Sequence, residues 1–564
     1  MSIIFHESSK TFHLYNNEIS YIMCVLPNGH IGNLYFGKRI HDREDFSYLL
    51  EMKQRPMTAC VYEGNRKFSL EHLKLEYPVY GSSDYRYPAV EILQENGSRI
   101  SEFTYVSHTV TDGKPKLSGL PATYTENDEE AQTLCVKLKD EVTGIVLELL
   151  YTIFAQGGII TRSVRFINEG TSPVHLLNAM SLSLDLPDKD YVWMQFSGAW
   201  SRERHVKERR LEQGIQSVGS IRGNSSHEHN PFIVLRRPSA TENAGEVMGF
   251  SLIYSGNHRM QAEVDTHDTT RITVGINPQN FDWKLDCGES FQTPEAVVVF
   301  SDKGLNGMSQ TFHKLYQKRL ARGYWRDRPR PILNNNWEAT YFDFTEDRLV
   351  EIAAKAKECG VELFVLDDGW FGARSNDYAG LGDWVANRER LPQGIKGIAD
   401  RIEEMGMKFG LWFEPEMVNK DSDLYRAHAV FRLYHQMHRA VDAAARVPAA
   451  IRFQTVVHRH TQKVFPFPHF SGNVCGKFRI AIPVFRDRFA VQIYNGILIN
   501  TFKQNADFLF RIFFGDSKMF FIAIFPTGKI AAVFAIVAVF LPRFLQHGIV
   551  RQRYGFGFSV LPTE

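Results

Sequence analysis

Three strand-like segments between residues 333 and 418 constrain the fold of this chain most strongly. They read LNNNWEATYFDF, ELFVLDDGWFG and KFGLWFEPEMV, and each apolar run ends in a cluster of polar and aromatic side chains. The gaps between them have the length and periodicity of helices. Because parallel neighbouring strands need a crossover connection, this alternation predicts a parallel sheet. We interpret the segments as the first three units of a (β/α)8 TIM-type barrel, whose sites form at the carboxyl ends of its strands.

The gaps also carry the signals of helix boundaries. Thr345 is a candidate N-cap before two acidic residues, and Gly360 is the predicted end of that helix. The second predicted helix turns Ile398 and Ile402 inward and ends at Gly406. Strand and helix signals therefore alternate over residues 332–428.

Residues 1–325 have the pattern of a β-rich domain. The runs 146–154 and 159–170 flank a short Gly-containing break and predict a β-hairpin. Around Phe250, large apolar residues alternate with smaller ones, which predicts a strand that is buried on one face only. Several such runs separated by turn signals predict a large antiparallel sandwich.

Two segments flank the predicted barrel units. Residues 326–331 form a predicted stiff linker, because neither Pro329 nor Pro331 fits inside a helix or a central strand. Residues 429–564 form a tail of different composition. From residue 431 onward the chain has 17 Lys and Arg against 5 Asp and Glu, and it holds 21 of the 42 Phe residues. Such a shift marks a boundary in the chain.

Three explanations of the tail stay open, and we favour the first. A frame or strand error in the coding DNA would enrich Phe, because Glu and Lys codons become Phe codons on the complementary strand. The tail could instead associate with a membrane, but Pro526, Gly528 and Lys529 interrupt the apolar run 519–541, so it is not a convincing span. The third explanation is a divergent remainder of the barrel.

Overall composition excludes several classes of function. The formal net charge of +1, with 23% charged residues, gives no global signature of nucleic-acid binding. Six scattered cysteines without a CxxC pair argue against a disulfide scaffold or a zinc site and favour reduced thiols. The N-terminal segment has no basic start followed by an apolar core. We therefore expect a cytoplasmic location.

The strongest candidate site residues follow the second predicted strand. Asp367 and Asp368 point to different sides, because side chains alternate along a strand, so they cannot flank one scissile bond as an acid/base pair. One of them can accept hydrogen bonds from sugar hydroxyls, although Asp-Gly is also a common turn pair. Trp337 and Trp412 follow the first and third strands, and indole faces stack well on a pyranose. For either tryptophan taken singly, ordinary core packing is the commoner explanation.

Three further acidic residues have weaker claims to a role in the site. Glu414 and Glu416 flank Pro415, and we expect them to support the site from beneath by hydrogen bonds. Asp383 and its neighbour Trp384 lie in the following loop, and we expect a structural role for both.

Four motifs together resemble the bacterial α-galactosidases of glycoside hydrolase family 36. They are NNWEATYFDF, LFVLDDGWFG, LGDW and GLWFEPEMV, in the order and spacing of that family. The resemblance covers about residues 1–428, and it implies that residues 1–325 form a β-supersandwich. It also implies a retaining hydrolase that acts on the terminal α-galactosyl unit of melibiose and raffinose-type oligosaccharides. Such enzymes are commonly homotetramers and need no metal or other cofactor.

The resemblance also implies roles for single residues. Trp337 matches the tryptophan at the mouth of the barrel, and Asp367 and Asp368 match the pair that binds galactose hydroxyls. Trp412 matches the aromatic residue of the pocket floor. Trp200, in FSGAWSRERH, resembles a sandwich-domain tryptophan that approaches the active site of a neighbouring subunit.

The catalytic residues of the family have no match in this sequence. Neither a KWDMNR-like motif, which carries the nucleophile, nor a WTSDN-like motif, which carries the acid/base, is present. A retaining mechanism needs two carboxyl groups about 5 Å apart. The catalytic residues are therefore unknown, and we expect this chain to be inactive. The alternatives are a galactose-binding pseudoenzyme without turnover and a non-functional truncated product.

Overall fold

The structure is a computed structural model. It describes residues 1–55, 65–81, 83–415 and 417–428, together with the backbone of five strands between residues 480 and 524. The chain divides into two compact units, Met1–Val456 and Val457–Glu564.

Three antiparallel sheets make up the first 301 residues. The first has the order β1 (Ser2–His6), β2 (Thr11–Tyr15), β3 (Ile19–Val25), β4 (Ile31–Lys38). The second has the order β13 (Gly214–Gly219), β16 (His258–Val264), β17 (Thr270–Ile276), β10 (Val174–Leu186), β18 (Trp283–Leu285), with β5 (Val90–Leu93) also paired to β10.

The third sheet is the largest. Its order is β12 (Arg202–Arg210), β11 (Val192–Ala199), β14 (His229–Arg236), β15 (Val247–Ile253), β20 (Glu295–Ser301), β9 (Ile159–Asn168), β8 (Ile145–Phe154), β7 (Ala131–Lys139), β6 (Thr104–Asp112), with β19 (Ser290–Gln292) beside β9. One continuous apolar core contains residues of all three sheets, among them Phe12, Leu147 and Leu184. This arrangement confirms the predicted antiparallel sandwich.

The predicted hairpin is confirmed, whereas the predicted burial of another strand was wrong. Strands β8 and β9 pair as the predicted hairpin, from Ile145 opposite Asn168 to Ile153 opposite Ile160. The strand around Phe250, in contrast, is buried on both faces. Helix α1 (Gly304–Arg319) covers the face that was expected to be exposed, and a Cβ on Gly249 would lie 2.6 Å from a ring atom of Phe312. A covering helix leaves no signal in the alternation of the strand itself.

The first strand of the parallel sheet begins at Leu333. Three strands, β21 (Leu333–Asn335), β22 (Leu363–Leu366) and β23 (Lys408–Leu411), pair in parallel and in chain order. The helices are α2 (Trp337–Thr340), α3 (Glu346–Glu358), α4 (Gly394–Glu404) and α5 (Asp423–Ala427). The parallel sheet and the long helices α3 and α4 confirm the alternation predicted from the sequence.

The helix boundaries follow the predicted signals. The Thr345 hydroxyl accepts a hydrogen bond from the Arg348 amide, as an N-cap does. Gly360 and Gly406 follow α3 and α4 with φ of +88° and +73°, the left-handed conformation that ends a helix. Both α3 and α4 pack on the sheet around the buried side chains of Phe364 and Ile398.

The tail is described only in part. Its strands are β24 (Ile480–Ala481), β25 (Arg488–Ile493), β26 (Ile497–Gln504), β27 (Asp507–Phe514) and β28 (Lys518–Ile524), and they form an antiparallel sheet in chain order. Most of the tail, including the apolar run beyond Ile524, lies outside the described residues, so the three explanations of it stay open. Within the described part of the chain, no helix is long and apolar enough to cross a membrane.

Candidate functional site

The site residues lie at the carboxyl ends of the three parallel strands. The register pairs Asn335 with Val365, and Leu366 with Leu411. The residues that follow each strand therefore start at the same level, and they include Trp337, Asp367 and Trp412. The structure thus places these three predicted residues at one edge of the sheet.

Two asparagines join the ends of β21 and β22. The Asn335 side-chain amide donates to Asp367 Oδ2 over 2.7 Å, and its oxygen accepts from the Trp337 amide at 3.2 Å. The fully buried Asn336 accepts from the Asp367 amide at 2.8 Å. One asparagine therefore holds the Asp367 carboxylate, and the other holds its backbone.

Asp367 provides the partly accessible carboxylate of the site. Burial raises its pKa above the ordinary value, and the nearby Asp368 carboxylate adds to the rise, whereas the hydrogen bond from the Asp368 amide opposes it. The Asp367 carboxylate accepts one hydrogen bond on each oxygen, from the Asn335 side chain and from the Asp368 amide, and each oxygen keeps a lone pair for a further donor. Such a group can accept hydrogen bonds from a ligand that carries hydroxyl groups.

Asp368 lies in a different environment. It is 6% exposed, and its carboxylate pairs with the Arg374 guanidinium through Nε to Oδ1 at 2.9 Å and Nη2 to Oδ2 at 2.7 Å. Its Oδ1 also accepts from the Gly369 amide at 2.7 Å. The neighbouring carboxylates therefore engage different partners, as the alternation of side chains predicted.

The tryptophans lie in two separate aromatic groups. Trp337 meets the rings of Tyr341 and Phe342 edge to face, with centroids 5.1 Å apart in each case. Trp412 is nearly parallel to Phe371, with 6.4 Å between centroids and 17° between planes. Both indoles are only partly buried, so each combines core packing with an accessible surface.

A hydrogen bond fixes the second aromatic group to the sheet. The Trp370 indole N–H donates to the carbonyl of Trp412 over 2.9 Å and joins the ends of β22 and β23. Trp384 belongs to the same aromatic group, with its ring centroid 4.4 Å from that of Phe371 and 6.5 Å from that of Trp412. Trp384 is partly buried in this aromatic group, and its structural role stays a prediction.

The structure gives the remaining candidates different surroundings. Asp383 accepts the amides of Asp423 and Leu424 at 2.8 Å and 3.0 Å, and so caps α5, a structural role. Glu414 is partly buried just after Trp412, and its supporting role stays a prediction, while Glu416 lies outside the described residues. Trp200 is 83% exposed at the tip of the β11–β12 hairpin in the β-rich part of the chain.

Sequence reasoning missed Asn335, Asn336 and Arg374. The run of three asparagines before Trp337 was a signal for the first two, because amide side chains at a strand end can serve as hydrogen-bond partners. Arg374 had no signal, since a charged residue in a loop is usually solvated. Its burial is set by contacts with segments that are distant in the sequence.

The arrangement as a whole brings hydrogen-bonding and aromatic groups to one edge of the sheet. It combines one accessible carboxylate, amide groups that orient it, and aromatic surfaces on both sides of β22. Hydroxyl-rich rings with an apolar face match these groups. Retaining glycoside hydrolysis would need two carboxyl groups about 5 Å apart, and the motifs that carry them are missing from the sequence.

Most of the chain matches family models and proteins that are already known. The family model of the glycosyl hydrolase family 36 N-terminal domain matches residues 29–286, and the melibiase model matches residues 290–462. Alpha-galactosidase AgaA of Geobacillus stearothermophilus is 49% identical over 428 residues, which are 76% of this chain and 59% of that protein. Alpha-galactosidase Mel36A of Lactobacillus acidophilus is 43% identical over 438 residues, 77% of this chain and 59% of that protein.

Solved structures match a similar share of the chain. The crystal structure of the family 36 α-galactosidase AgaB from G. stearothermophilus has a TM-score of 0.73 at 49% identity, and the match covers 76% of this chain and 59% of that one. A variant of AgaA from the same organism, solved in complex with raffinose, has a TM-score of 0.72 at 50% identity, with 74% and 58% covered. The chain thus spans about three-fifths of the length of these relatives.

Proposed function

Because the chain belongs to glycoside hydrolase family 36, we propose that its three strand ends form the galactose-binding part of an α-galactosidase site. The substrates would be melibiose and raffinose-type oligosaccharides, bound by their terminal α-galactosyl unit. The raffinose complex of a relative supports this choice. No metal or other cofactor enters the proposal.

One observation carries the proposal. The Asn335 side chain bridges the Trp337 backbone and the Asp367 carboxylate, so the acceptor and the first indole are held together before any ligand arrives. Groups that are held in place lose less entropy on binding. Asp367 would accept hydrogen bonds from sugar hydroxyls, and Trp412 would lie under the apolar face of the ring. We assign the same contact role to Trp337. Asp368, the more buried carboxylate of the pair, would also bind a hydroxyl of the sugar.

Catalysis by this chain is a separate matter. We infer that it binds galactosides without hydrolysing them, because no sequence motif supplies the nucleophile or the acid/base. Purified protein should leave a nitrophenyl α-galactoside intact over hours, while a full-length family member tested beside it releases nitrophenol. Hydrolysis by this chain, lost on adding a galactose-like inhibitor, would contradict the inference.

A second candidate is a truncated product of an altered reading frame. The break in charge just after the family-like region favours it. Resequencing the gene across codons 420 to 440 should then reveal a frame that continues into a KWDMNR-like motif. A gene sequence that is unchanged on resequencing would rule out this candidate and leave the galactoside-binding protein without turnover.

A binding experiment tests the proposed site. Methyl α-D-galactoside should quench or shift the tryptophan fluorescence and saturate, whereas its C4 epimer, methyl α-D-glucoside, should bind more weakly. Asp367→Asn should weaken binding by roughly ten- to a hundredfold, because a hydrogen bond to a charged group contributes about 1.5–3 kcal/mol. Trp412→Ala should weaken it as well.

A matched variant serves as the control for that experiment. Trp283 lies in β18 of the sandwich, with its ring centroid 5.1 Å from that of Phe291 and the ring planes tilted by 50°. Trp283→Ala should leave the affinity unchanged while altering the total fluorescence by one indole. Equal binding of the two epimers, or equal affinity in all of the variants, would refute the proposed site.

The remaining parts of the proposal concern organisation. We propose the division 1–325, 326–331, 332–428 and 429–564 given above, a homo-oligomer, and a cytoplasmic location. The exposed Trp200 supports the homo-oligomer, because tryptophan is enriched in protein–protein interfaces relative to the rest of the surface. Sedimentation of the wild-type chain and of Trp200→Ala at several concentrations tests it, and a monomer in both would contradict it.

A further inference from the structure

One buried guanidinium contacts groups from all three strand-end segments. Arg374 is 4% exposed. Its guanidinium carbon lies 5.3 Å from the ring centroid of Phe342, which follows β21, and it pairs with Asp368, which follows β22. Its Nη1 donates to Asn419 Oδ1, in the segment after β23, over 3.3 Å. We propose that Arg374 is a positioning residue that holds these three segments as a single wall of the sugar site.

The contact with Asp368 reaches the sugar-binding carboxylate in one further step. Arg374 holds the Asp368 side chain by two parallel hydrogen bonds, which fix its orientation. The Asp368 amide in turn donates to Asp367 Oδ1 over 2.8 Å. Arg374 therefore acts on Asp367 through Asp368, and does not touch the ligand itself.

The contacts with the loop have a second consequence. Arg374 Nη1 also donates to the carbonyls of Asn376 and Ala379, at 2.9 Å and 3.1 Å. Asn419 Oδ1, which accepts from the same Arg374 nitrogen, also accepts from the Leu381 amide at 2.9 Å. The Asn419 backbone amide donates to the Leu381 carbonyl at 3.0 Å. The loop after β22 and the segment after β23 are thus joined around one side chain.

Only arginine can make this set of contacts. The planar guanidinium has five donors in a fixed fork, whereas the lysine ammonium is a single point of charge. Arg374→Lys keeps the charge near Asp368 but cannot reach the carboxylate, the two loop carbonyls and Asn419 together. The inference rests on the proposed function for its effect on sugar binding, but not for its effect on the two segments.

The experiment is a double-mutant cycle on the full chain, with methyl α-D-galactoside as the probe. Arg374→Lys and Asp368→Asn should each weaken binding about tenfold or more. The double variant should lose less affinity than the product of the two single losses, because the two residues are in direct contact and part of the effect of Arg374 passes through Asp368. Losses that multiply in the double variant, or an Arg374→Lys protein that binds within twofold of the wild type, would overturn the inference.

A matched control separates positioning from general stability. Arg271 is 1% exposed in the sandwich and pairs with Asp84 and Asp185, so Arg271→Lys also disturbs a buried ion pair. It should lower the midpoint of thermal unfolding as Arg374→Lys does, but leave the affinity for galactoside unchanged. An equal loss of affinity in both variants would show that Arg374 acts only through stability, and would overturn the inference.

Hydrogen exchange decides the case if the wild-type chain binds no galactoside. The amides of Gly380, Leu381 and Asn419 are hydrogen-bonded between the two segments and should exchange at least tenfold faster in Arg374→Lys. Unchanged exchange in both segments would overturn the positioning role. If Arg374→Lys does not fold, Asp368→Asn, which nearly preserves the side-chain volume, is measured in its place with the same expected result.

Discussion

Gly369, in the Asp-Asp-Gly-Trp motif, has a backbone that no other residue adopts easily. Its φ is +98°, and a Cβ placed on it would lie 3.1 Å from Arg390 Nη1, 3.2 Å from a Phe342 ring atom and 3.3 Å from a Phe344 ring atom. Gly369→Ala therefore combines backbone strain with close contacts. We expect it to destabilise the barrel units and to disturb the site.

The expected loss of stability is the sum of the backbone strain and the close contacts. Positive φ costs an L-residue roughly 1–2 kcal/mol. Contacts of 3.1–3.3 Å require neighbours to shift by a few tenths of an ångström, which is mild overpacking and costs about 1 kcal/mol. The total is roughly 2–3 kcal/mol. Gly360→Ala is the control, because Gly360 has φ +88° with nothing within 4 Å of its Cβ, so it should show the strain alone.

Urea unfolding followed by tryptophan fluorescence measures both variants, since four of the eight tryptophans lie in the barrel units. Gly369→Ala should lose about 1 kcal/mol more than Gly360→Ala. It should also weaken methyl α-D-galactoside binding, because the Arg390 guanidinium that must move donates to the carbonyls of Gly369 and Arg374. Equal destabilisation by both substitutions, with binding intact, would refute the reasoning.

Three further substitutions test other parts of the site. Asp383→Ala removes the acceptor of two amides at the start of α5 and should destabilise the barrel units by about 1 kcal/mol in urea unfolding; no loss would contradict the capping role. Phe371→Ala empties a fully buried position beside Trp412 and should lower the free energy of unfolding by about 3–5 kcal/mol. Phe413→Ala, at a half-exposed position, should cost much less stability. Similar losses of stability in the two variants would contradict this packing. Because burial raises the pKa of Asp367, the folded chain holds that proton to higher pH than the unfolded chain, so its contribution to stability falls as pH rises from roughly 3.9 through the raised value. Asp367→Asn should remove that part of the pH dependence in urea titrations, and wild-type galactoside affinity should fall on acidification below the raised pKa; an unchanged stability profile in Asp367→Asn would contradict this assignment.

The sequence predicted the elements that depend on local patterns. The hairpin of β8 and β9 and the parallel triplet of β21, β22 and β23 follow from apolar runs and turn residues, which act over a few positions. The cap at Thr345 follows from a similar local rule. These features could be foreseen because their causes lie close together in the chain.

The features that were missed depend on contacts between distant segments. Phe250 lies in a strand that α1 covers from more than fifty residues away, so the alternation around it suggested an exposed face that does not exist. Arg374 is buried because Phe342 and Asn419 come to it from both neighbouring strand ends. Asn335 and Asn336 became site residues only when the register placed them beside Asp367.

The most direct test is the position of a bound sugar. Crystals of the full chain soaked with galactose should show one hexose at the strand ends, with a hydroxyl within hydrogen-bond distance of the Asp367 carboxylate and an apolar face on the Trp412 indole. A sugar found elsewhere, or an Asp367 carboxylate turned away from a sugar bound there, would contradict the account.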